Sequence, residues 1–439
     1  MSLSACDKYL GVTPKGYTLL KTVDNYDQWL NDANVLGALP SQLNKLADNV
    51  DNPTIPVPPS AVTDLIYVWA PQFSTDLNAA PACWGSHYAN INKFNTVLLG
   101  IDAATGGTDQ QKKSLKAEAL LGRAFEYFYL VNEYGKEYDS ATAGSDPGVP
   151  FVVSNDVTQK VPPRSPVKEI FDHIITDINA AIPDLPQDNS KDTYRGSVAA
   201  AYSVLARIYL YVRDYTDAAK NAQLALQNSA ARMLDYNSLP TSVSSPHVSQ
   251  RADALYGREN QLYETASLDF VRSYDPHDLR LKTFYSFDNF IARGNTLYFP
   301  TISMLPFLTY TNFGTSVPEM KLIIAETAAR SGDLATALQQ LNDIRIGRFP
   351  ATAYQPLQSA DQDTVFNWVL RERTFEFPYN GLRWFDMRRL DAEGKMPVVN
   401  RYDAQGNIIA TLPLHSKKYT LQIPVQVLEF NPGIQQNPQ

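Results

Sequence analysis

Residues 197–228, SVAAAYSVLARIYLYVRDYTDAAKNAQLALQN, read as a helix, a turn and a second helix. Tyr202, Leu205, Ala206 and Tyr209 recur at three- and four-residue spacing, one face of a 3.6-residue period. Arg213-Asp214-Tyr215 interrupts it, and Ala218, Ala222 and Ala225 resume it. Small alanines opposite large side chains let two antiparallel helices approach closely, the arrangement of tetratricopeptide repeats. Residues 319–345, EMKLIIAETAARSGDLATALQQLNDIR, repeat the pattern. Ile324, Ala325 and Ala328 fall on its first helix, Ser331-Gly332-Asp333 in its turn, and Ala337, Leu341 and Ile344 on its second. One such unit cannot bury its own face, so further pairs are required.

Working outward, residues 114–134 and 166–182 carry the same period and form another pair split by a long loop. Ser165 and Pro166 suit the cap and first turn of 166–182, and Pro183 ends it. Residues 86–99, with an upstream partner, supply a further half-unit. Between these lie the long non-repeating stretches 34–62, 135–165, 229–318 and 346–362. Met396–Arg401 and Asn407–Leu412 flank Asp403-Ala404-Gln405-Gly406 as a short hairpin. The expected fold is mainly α, a tetratricopeptide-like superhelix of about four pairs, with long irregular loops and a small β-hairpin.

The chain has 439 residues, 44% hydrophobic and 19% charged, enough for a large core. Its net charge of -8 is spread without a basic stripe, which argues against nucleic acid. No apolar run reaches the roughly 18–20 residues that span a bilayer. With only Cys6 and Cys83 there is no disulfide framework, and a single pair stays open. His87, His173, His247, His277 and His415 are scattered, without metal-ligand spacing, and no cofactor-binding motif is present. Leu3-Ser4-Ala5-Cys6 reads as a bacterial lipobox, which makes Cys6 a lipidation site and residues 1–20 a tether to the membrane. The remainder, 21–439, reads as one domain. Its repeat scaffold lies at 80–228 and 319–390, with a loop-rich ligand-binding subdomain at 229–318.

Several blocks, in order, resemble the SusD/RagB family of outer-membrane nutrient-binding lipoproteins. They are Cys6–Leu10; Trp84–Asn92 with Asn95; Glu118–Ala124 with Tyr127-Phe128 and Tyr134–Lys136; Glu319–Arg345; Glu372–Phe377 with Gly381–Arg389; and Ile423–Pro438. The resemblance implies a non-catalytic surface lipoprotein that binds oligosaccharide and passes it to a SusC-like TonB-dependent transporter. At 439 residues the chain is on the short side for that family, which implies reduced ligand loops.

Sugar rings are bound by flat aromatic faces, with amide and charged groups for the hydroxyls. Two regions offer these. Tyr67, Trp69, Phe73, Trp84 and Tyr88 form the first, with Asn90 and Asn92; Trp69, Trp84, Tyr88 and Asn92 are its candidate contacts. The family's ligand site draws on this region. Tyr274, Tyr285, Phe287, Phe290 and Tyr298 form the second, with Arg293; Tyr285, Phe290, Arg293 and Tyr298 are its candidates. Each aromatic can instead be core, and Trp29, Trp368 and Trp384 read as packing. A glycosidase needs two suitably spaced carboxylates. The charged cluster Arg371, Glu372, Arg373, Glu376, Arg383, Asp386, Arg388 and Arg389 is instead expected to be an ion-pair clamp, because five arginines keep three acids ionised. Asp275–Arg280 is read the same way. A protein-binding repeat scaffold and peptide uptake are the competing readings.

Overall fold

The computed structural model describes residues 20–37, 42–239, 247–261, 264–285, 291–293, 296–298 and 310–438. Cys6 and the tether lie outside them. The longer helices, in chain order, are α1 Val23–Leu30, α2 Trp84–Gly100, α3 Asp109–Tyr134, α4 Val167–Ala181 and α5 Val198–Tyr211. They continue as α6 Tyr215–Gln227, α7 Val317–Ser331, α8 Leu334–Arg345, α9 Gln362–Glu376 and α10 Leu382–Ala392. From α2 to α7 each helix packs on its predecessor, and α7, α8 and α9 pack on one another. The fold is thus a helical superhelix of pairs α3/α4, α5/α6 and α7/α8, with α9 packed on the last of them and α10 following it, as the two repeat units require.

Local chemistry sets the ends. The α5/α6 and α7/α8 turns each place one residue in left-handed backbone, Arg213 at φ 63° and Gly332 at φ 84°. The aspartate that follows caps the next helix: the Asp217 N–H donates to Asp214 Oδ1 and the Thr336 N–H to Asp333 Oδ1, both at 3.1 Å. Helix α3 begins five residues before the expected 114. Thr108 and Gln111 form a reciprocal capping box, which extends the helix beyond its apolar stripe. Helix α4 begins at Val167 because Ser165 and Pro166 belong to a short strand, Arg164–Pro166, paired with Pro147–Pro150. The half-unit 86–99 becomes α2, whose main partner is the downstream α3; α1 rests on both. Close approach at α2/α3 depends on Gly122: a Cβ there would sit 2.2 Å from Phe94 Cζ.

The main core gathers Tyr127, Phe128, Tyr129, Tyr211, Trp384 and Phe385. Separate clusters fill α5/α6 against α7, through Ala206, Ala218, Ala222 and Met320, and α7/α8 against α9, through Ala329, Ala337, Leu341 and Val369. Trp384 is fully buried, as expected of a packing residue. The described residues of the stretch 229–318 include paired strands that its lack of period does not suggest. Ala254–Tyr256 pairs with Thr315–Ser316, and Glu259–Gln261 with Tyr310–Asn312, closing the excursion at its base. Ile291–Arg293 pairs with Thr296–Tyr298. The C-terminal hairpin forms from Val399–Tyr402 and Ile408–Leu412, with Gly406 at φ 90° in its turn.

Most of the arginine-rich cluster is an ion-pair clamp, while Arg388 donates instead to the Gly135 carbonyl and the exposed Arg371 lies over the Phe375 ring. Asp386 accepts from Arg373 Nε and Arg389 Nε, both at 2.8 Å. Arg383 holds Asp48 at 2.6 Å, and Arg348 and Arg280 share Glu376. Burial raises the Asp386 pKa, but Arg373 and Arg389 outweigh it and hold the carboxyl down at about 2. Asp278 is likewise taken by Arg280 at 2.7 Å, while His277 and Asp275 are a local exposed pair.

Candidate functional site

The segment from Trp69 to Cys83 connects a short helix, Val62–Tyr67, to α2. Both of its ends are non-glycine residues in left-handed backbone, Trp69 at φ 54° and Cys83 at φ 64°. Such conformations persist only where the surroundings over-determine them. At Trp69 they do. Its indole Nε1–H donates to the Leu46 carbonyl at 2.9 Å. The Arg401 guanidinium lies 4.3 Å from its ring centroid and 4.2 Å from that of Tyr67. Arg401 comes from the C-terminal hairpin and donates to the carbonyls of Lys45, Ala47, Val50 and Tyr67. The hairpin thereby fixes one tryptophan from more than three hundred residues away in the chain.

The segment is stitched to the C-terminal stretch by side-chain amides. Gln72 Nε2 donates to Ile423 O at 3.0 Å while its Oε1 accepts from the Val425 N–H at 3.0 Å. Gln426 Nε2 donates to Asp76 O at 2.8 Å. Opposite runs Lys417–Gln422, held by Tyr419 packed on Trp384 at 5.1 Å and by the Leu421 N–H on Glu133 O at 2.8 Å. Asn437 Nδ2 donates to Leu421 O and Tyr134 O, so the chain's last residues close that wall.

Between the two walls lies a groove with about 110 Å³ of free room, lined by Trp69, Phe73, Leu421, Gln422, Lys417 and Lys418 among others. A smaller hollow continues it past Phe73 and Gln422 to Tyr134 and Gln426. Trp69 is 3% exposed and shows the groove only part of its ring, whereas Phe73 is half-buried and the two lysines are exposed. The lining thus combines apolar ring surface with an amide and two ammonium groups.

Two family models cover most of this architecture. One, described as starch-binding associating with outer membrane, matches residues 27–210; the other, described as the SusD family, matches residues 318–439. The chain belongs to the SusD/RagB family. It is similar to a SusD-like protein of Formosa agariphila, 23% identical over 428 residues, 82% of this chain and 81% of that one. A solved SusD superfamily protein from Bacteroides thetaiotaomicron superposes with a TM-score of 0.77 at 19% identity, covering 95% of this chain and all of that one. A putative sugar binding protein from Bacteroides vulgatus superposes with 0.73 at 21% identity, covering 96% and 99%. At these identities the solved structures speak for the fold.

On this SusD-like frame the sequence candidates separate. Trp69 lines the groove. Trp84 is buried as well, packed edge-on to Tyr134 at 4.9 Å and tilted on Tyr88 at 5.0 Å. Tyr88 donates its hydroxyl to Pro150 O at 2.8 Å, and Asn92 Nδ2 donates to Asn155 O at 3.0 Å. Tyr88 and Asn92 are thus committed to holding the 147–155 strand and loop against α2. Tyr285 differs from its expected place on a ligand-facing loop. It is 3% exposed in a core of Tyr67, Tyr274, Phe375 and Tyr379, with its hydroxyl 3.1 Å from that of Tyr274. Its aromatic neighbours claim the ring. Phe290 lies outside the described residues, as do the side chains of Arg293 and Tyr298. Cys83 is a free, buried thiol whose pKa burial raises further, with the Glu133 carboxylate adding to that shift.

The sequence reading missed the second wall. Lys417, Lys418, Leu421 and Gln422 carry no motif or period. The nearest signal was the C-terminal block ending at Pro438, which itself lines the groove.

Proposed function

We propose that this SusD-like protein binds oligosaccharide at the outer-membrane surface without cleaving it, in the groove between Trp69–Phe73 and Lys417–Gln422. The observation that carries this reading is the lining itself. Trp69 and Phe73 offer apolar surface to a sugar ring's C–H face, the lysines offer donors to its hydroxyls, and Gln422, whose Nε2 donates to the Asn437 and Pro438 carbonyls, offers its Oε1 as an acceptor. The starch-binding description of the matching family model and the sugar-binding name of a structural neighbour support the ligand class. A non-catalytic role is favoured because Asp386 and Glu376 of the conspicuous charged cluster are held ionised by arginines, whereas a glycosidase's general acid needs a raised pKa.

Cys6 is the lipid-bearing residue in this reading, and a SusC-like TonB-dependent transporter is the partner, docked on the rigid helix pairs. A tether makes that second contact effectively intramolecular, so each contact can be weak. Isolated protein is expected to bind sugar with a Kd between about 1 μM and 1 mM, roughly -8 to -4 kcal/mol.

Calorimetry against a glycan panel, with product analysis, tests the proposal. Binding by the parent protein, at least about tenfold weaker in Phe73→Ala, is the expected result. Release of shorter products overturns the non-catalytic reading. Undiminished binding by Phe73→Ala moves the site to the segment holding Phe290, Arg293 and Tyr298. Cell-surface copurification with the transporter, lost in a Cys6→Ala chain, checks the anchor.

A further inference from the structure

We infer that Phe430 is a second sugar platform, an outer subsite that lengthens the groove so that it holds several units of one oligosaccharide at once; this rests on the groove being the sugar site. The case starts from where the groove leads. Its smaller hollow runs from Phe73 and Gln422 to Pro424 and Gln426. Gln426 stands on the short C-terminal helix Val425–Phe430, which is tied to the near wall twice. The Val425 N–H donates to Gln72 Oε1 at 3.0 Å, and Gln426 Nε2 donates to Asp76 O at 2.8 Å. Residues four apart lie on one face of a helix, about one 5.4 Å turn from each other. Phe430 therefore continues the face on which Gln426 meets the hollow.

On that face helical period would bury the ring. Gln426 and Val427, one turn earlier, are 5% and 7% exposed, yet Phe430 is 76% exposed. Single exposed apolar side chains are ordinary; the setting of this one is what distinguishes it. Leu77, next to the Asp76 carbonyl that Gln426 holds, is exposed as well. The same segment carries polar groups at the surface. Asp76 and Asn78 are exposed, and the Asn78 N–H donates to Asp76 Oδ1 at 2.9 Å, which orients the carboxylate. An ionised carboxylate with one such bond keeps acceptor capacity for hydroxyls. An uncovered ring one turn beyond an apolar groove, with hydroxyl acceptors on the adjoining segment, repeats the chemistry at Phe73: a flat face for C–H groups and a polar rim for hydroxyls. That rim favours a saccharide over a protein surface as the cover.

The test is NMR titration with four homologous series, malto-, xylo-, cello- and laminari-oligosaccharides, each as tri- and hexasaccharide. Three proteins are compared, the parent, Phe430→Ala and Phe73→Ala. The parent should bind the hexasaccharide of at least one series about fivefold tighter, or more, than its trisaccharide, the scale of one added ring contact. Phe430→Ala should keep the parent's melting temperature, because the ring is exposed. It should lose about fivefold or more on that hexasaccharide and hold the trisaccharide as the parent does. Phe73→Ala should weaken both. Equal affinity of the parent for the two lengths, or undiminished hexasaccharide binding by Phe430→Ala, overturns the outer subsite. In either case loss of binding in Phe73→Ala leaves the groove reading standing. If Phe430→Ala keeps the hexasaccharide but loses copurification with the transporter, the ring is a protein contact instead. An equal loss on both lengths in Phe430→Ala places the ring in the inner subsite and also overturns the outer one. If Phe73→Ala binds both lengths as the parent does, the groove reading falls, and this inference with it. Absence of binding to every probe overturns it as well.

Discussion

The hub between α7, α9 and α10 and the groove beside it use cations in opposite ways. In the hub the cations are arginines, fully buried except for the half-buried Arg330, and their partners are carboxylates. Arg373 and Arg389 meet on Asp386, Arg389 and Arg330 on Glu326, and Arg207 on Glu319. In the groove they are exposed lysines on a single turn. A planar guanidinium forks onto two acceptors and fixes the angle between the helices that carry them. An ammonium on a four-carbon stem fixes little by itself. The molecule thus commits its buried cations to architecture and places exposed ones along the wall of the groove.

The sharpest way to break that contrast is Asp386→Ala. It would leave Arg373 and Arg389 buried without their shared acceptor, and removing one partner of a buried ion pair costs about 3–5 kcal/mol. Urea unfolding should show that loss. Lys418→Gln in the same assay should stay within about 0.5 kcal/mol. Equal losses at the two positions would mean that the groove lysines are structural.

A second test uses a buried cation that is not an arginine. His87 is fully buried on α2 between two acids of α3, with Nδ1 2.5 Å from Glu126 Oε2 and Nε2 3.2 Å from Glu133 Oε1. Burial lowers its pKa, but Glu133 and Glu126 outweigh burial and raise it to about 9. A folded pKa above the unfolded 6.5 stabilises fully below pH 6.5 and is lost as pH rises through about 9. One unit is worth 1.36 kcal/mol, so the loss across this window is at most about 3 kcal/mol. Burial also raises the Glu133 pKa, a cost that sets in as pH rises above the ordinary carboxylate range. Melting temperature should therefore fall between pH 7 and 9 in the parent and fall less in His87→Gln. Parallel slopes would show that the imidazole is neutral in the fold. Readings belong below pH 9, because the raised thiol of Cys83 and the buried tyrosines add their own losses above it.

The hub side of the comparison was largely legible in the sequence, and the groove was not. Ala218, Ala222 and Ala225 and the Gly332-Asp333 turn announce helix pairs because helix period and capping are local. The arginine cluster announces a clamp because its charges nearly all lie within nineteen residues, 371–389. Trp69 was recognisable as a candidate, but Arg401 and Leu46, which seat it, are linked to it only by the fold. Lys417–Gln422 forms a wall only because Asn437 and Tyr419 bring it there. At Tyr285 an aromatic in a polar, aperiodic stretch looked like a ligand contact. It is core because Tyr379 converges on it from a distant segment and meets it beside the nearby Tyr274.

Shape, as well as charge, separates the scaffold from the groove. Gly122→Ala would place a Cβ 2.2 Å from Phe94 Cζ at the α2/α3 crossing, and the ring has buried neighbours on α1 and α3. Overpacking of this kind costs about 1–3 kcal/mol. Denaturant unfolding should register it, with glycan affinity unchanged. A neutral result would show that α2 can slide on α3, and that the Trp84–Tyr88 layer behind the groove is less fixed than its hydrogen bonds suggest.

A modest stability effect is expected at Phe73, and it separates the two regions most cleanly. Phe73 packs on the main core only in part, and its half-buried ring borders both hollows of the groove. The backbone around it is held independently: Gln72 and Gln426 tie the segment to Ile423, Val425 and Asp76 through amides that the substitution leaves in place. Full burial of a phenylalanine is worth roughly 1.5–3 kcal/mol, so a ring left half in solvent should give up about 1 kcal/mol when truncated. Phe73→Ala should therefore unfold within about 1 kcal/mol of the parent while losing at least about tenfold in glycan affinity. Trp69→Ala is the control in the other direction. Its indole is buried, hydrogen-bonded to Leu46 and covered by Arg401, so its removal should cost about 3–5 kcal/mol. Any loss of binding there mixes site with scaffold. If Phe73→Ala proves as destabilising as Trp69→Ala, the near wall of the groove is core that happens to reach the surface. The ligand would then have to be sought beyond it.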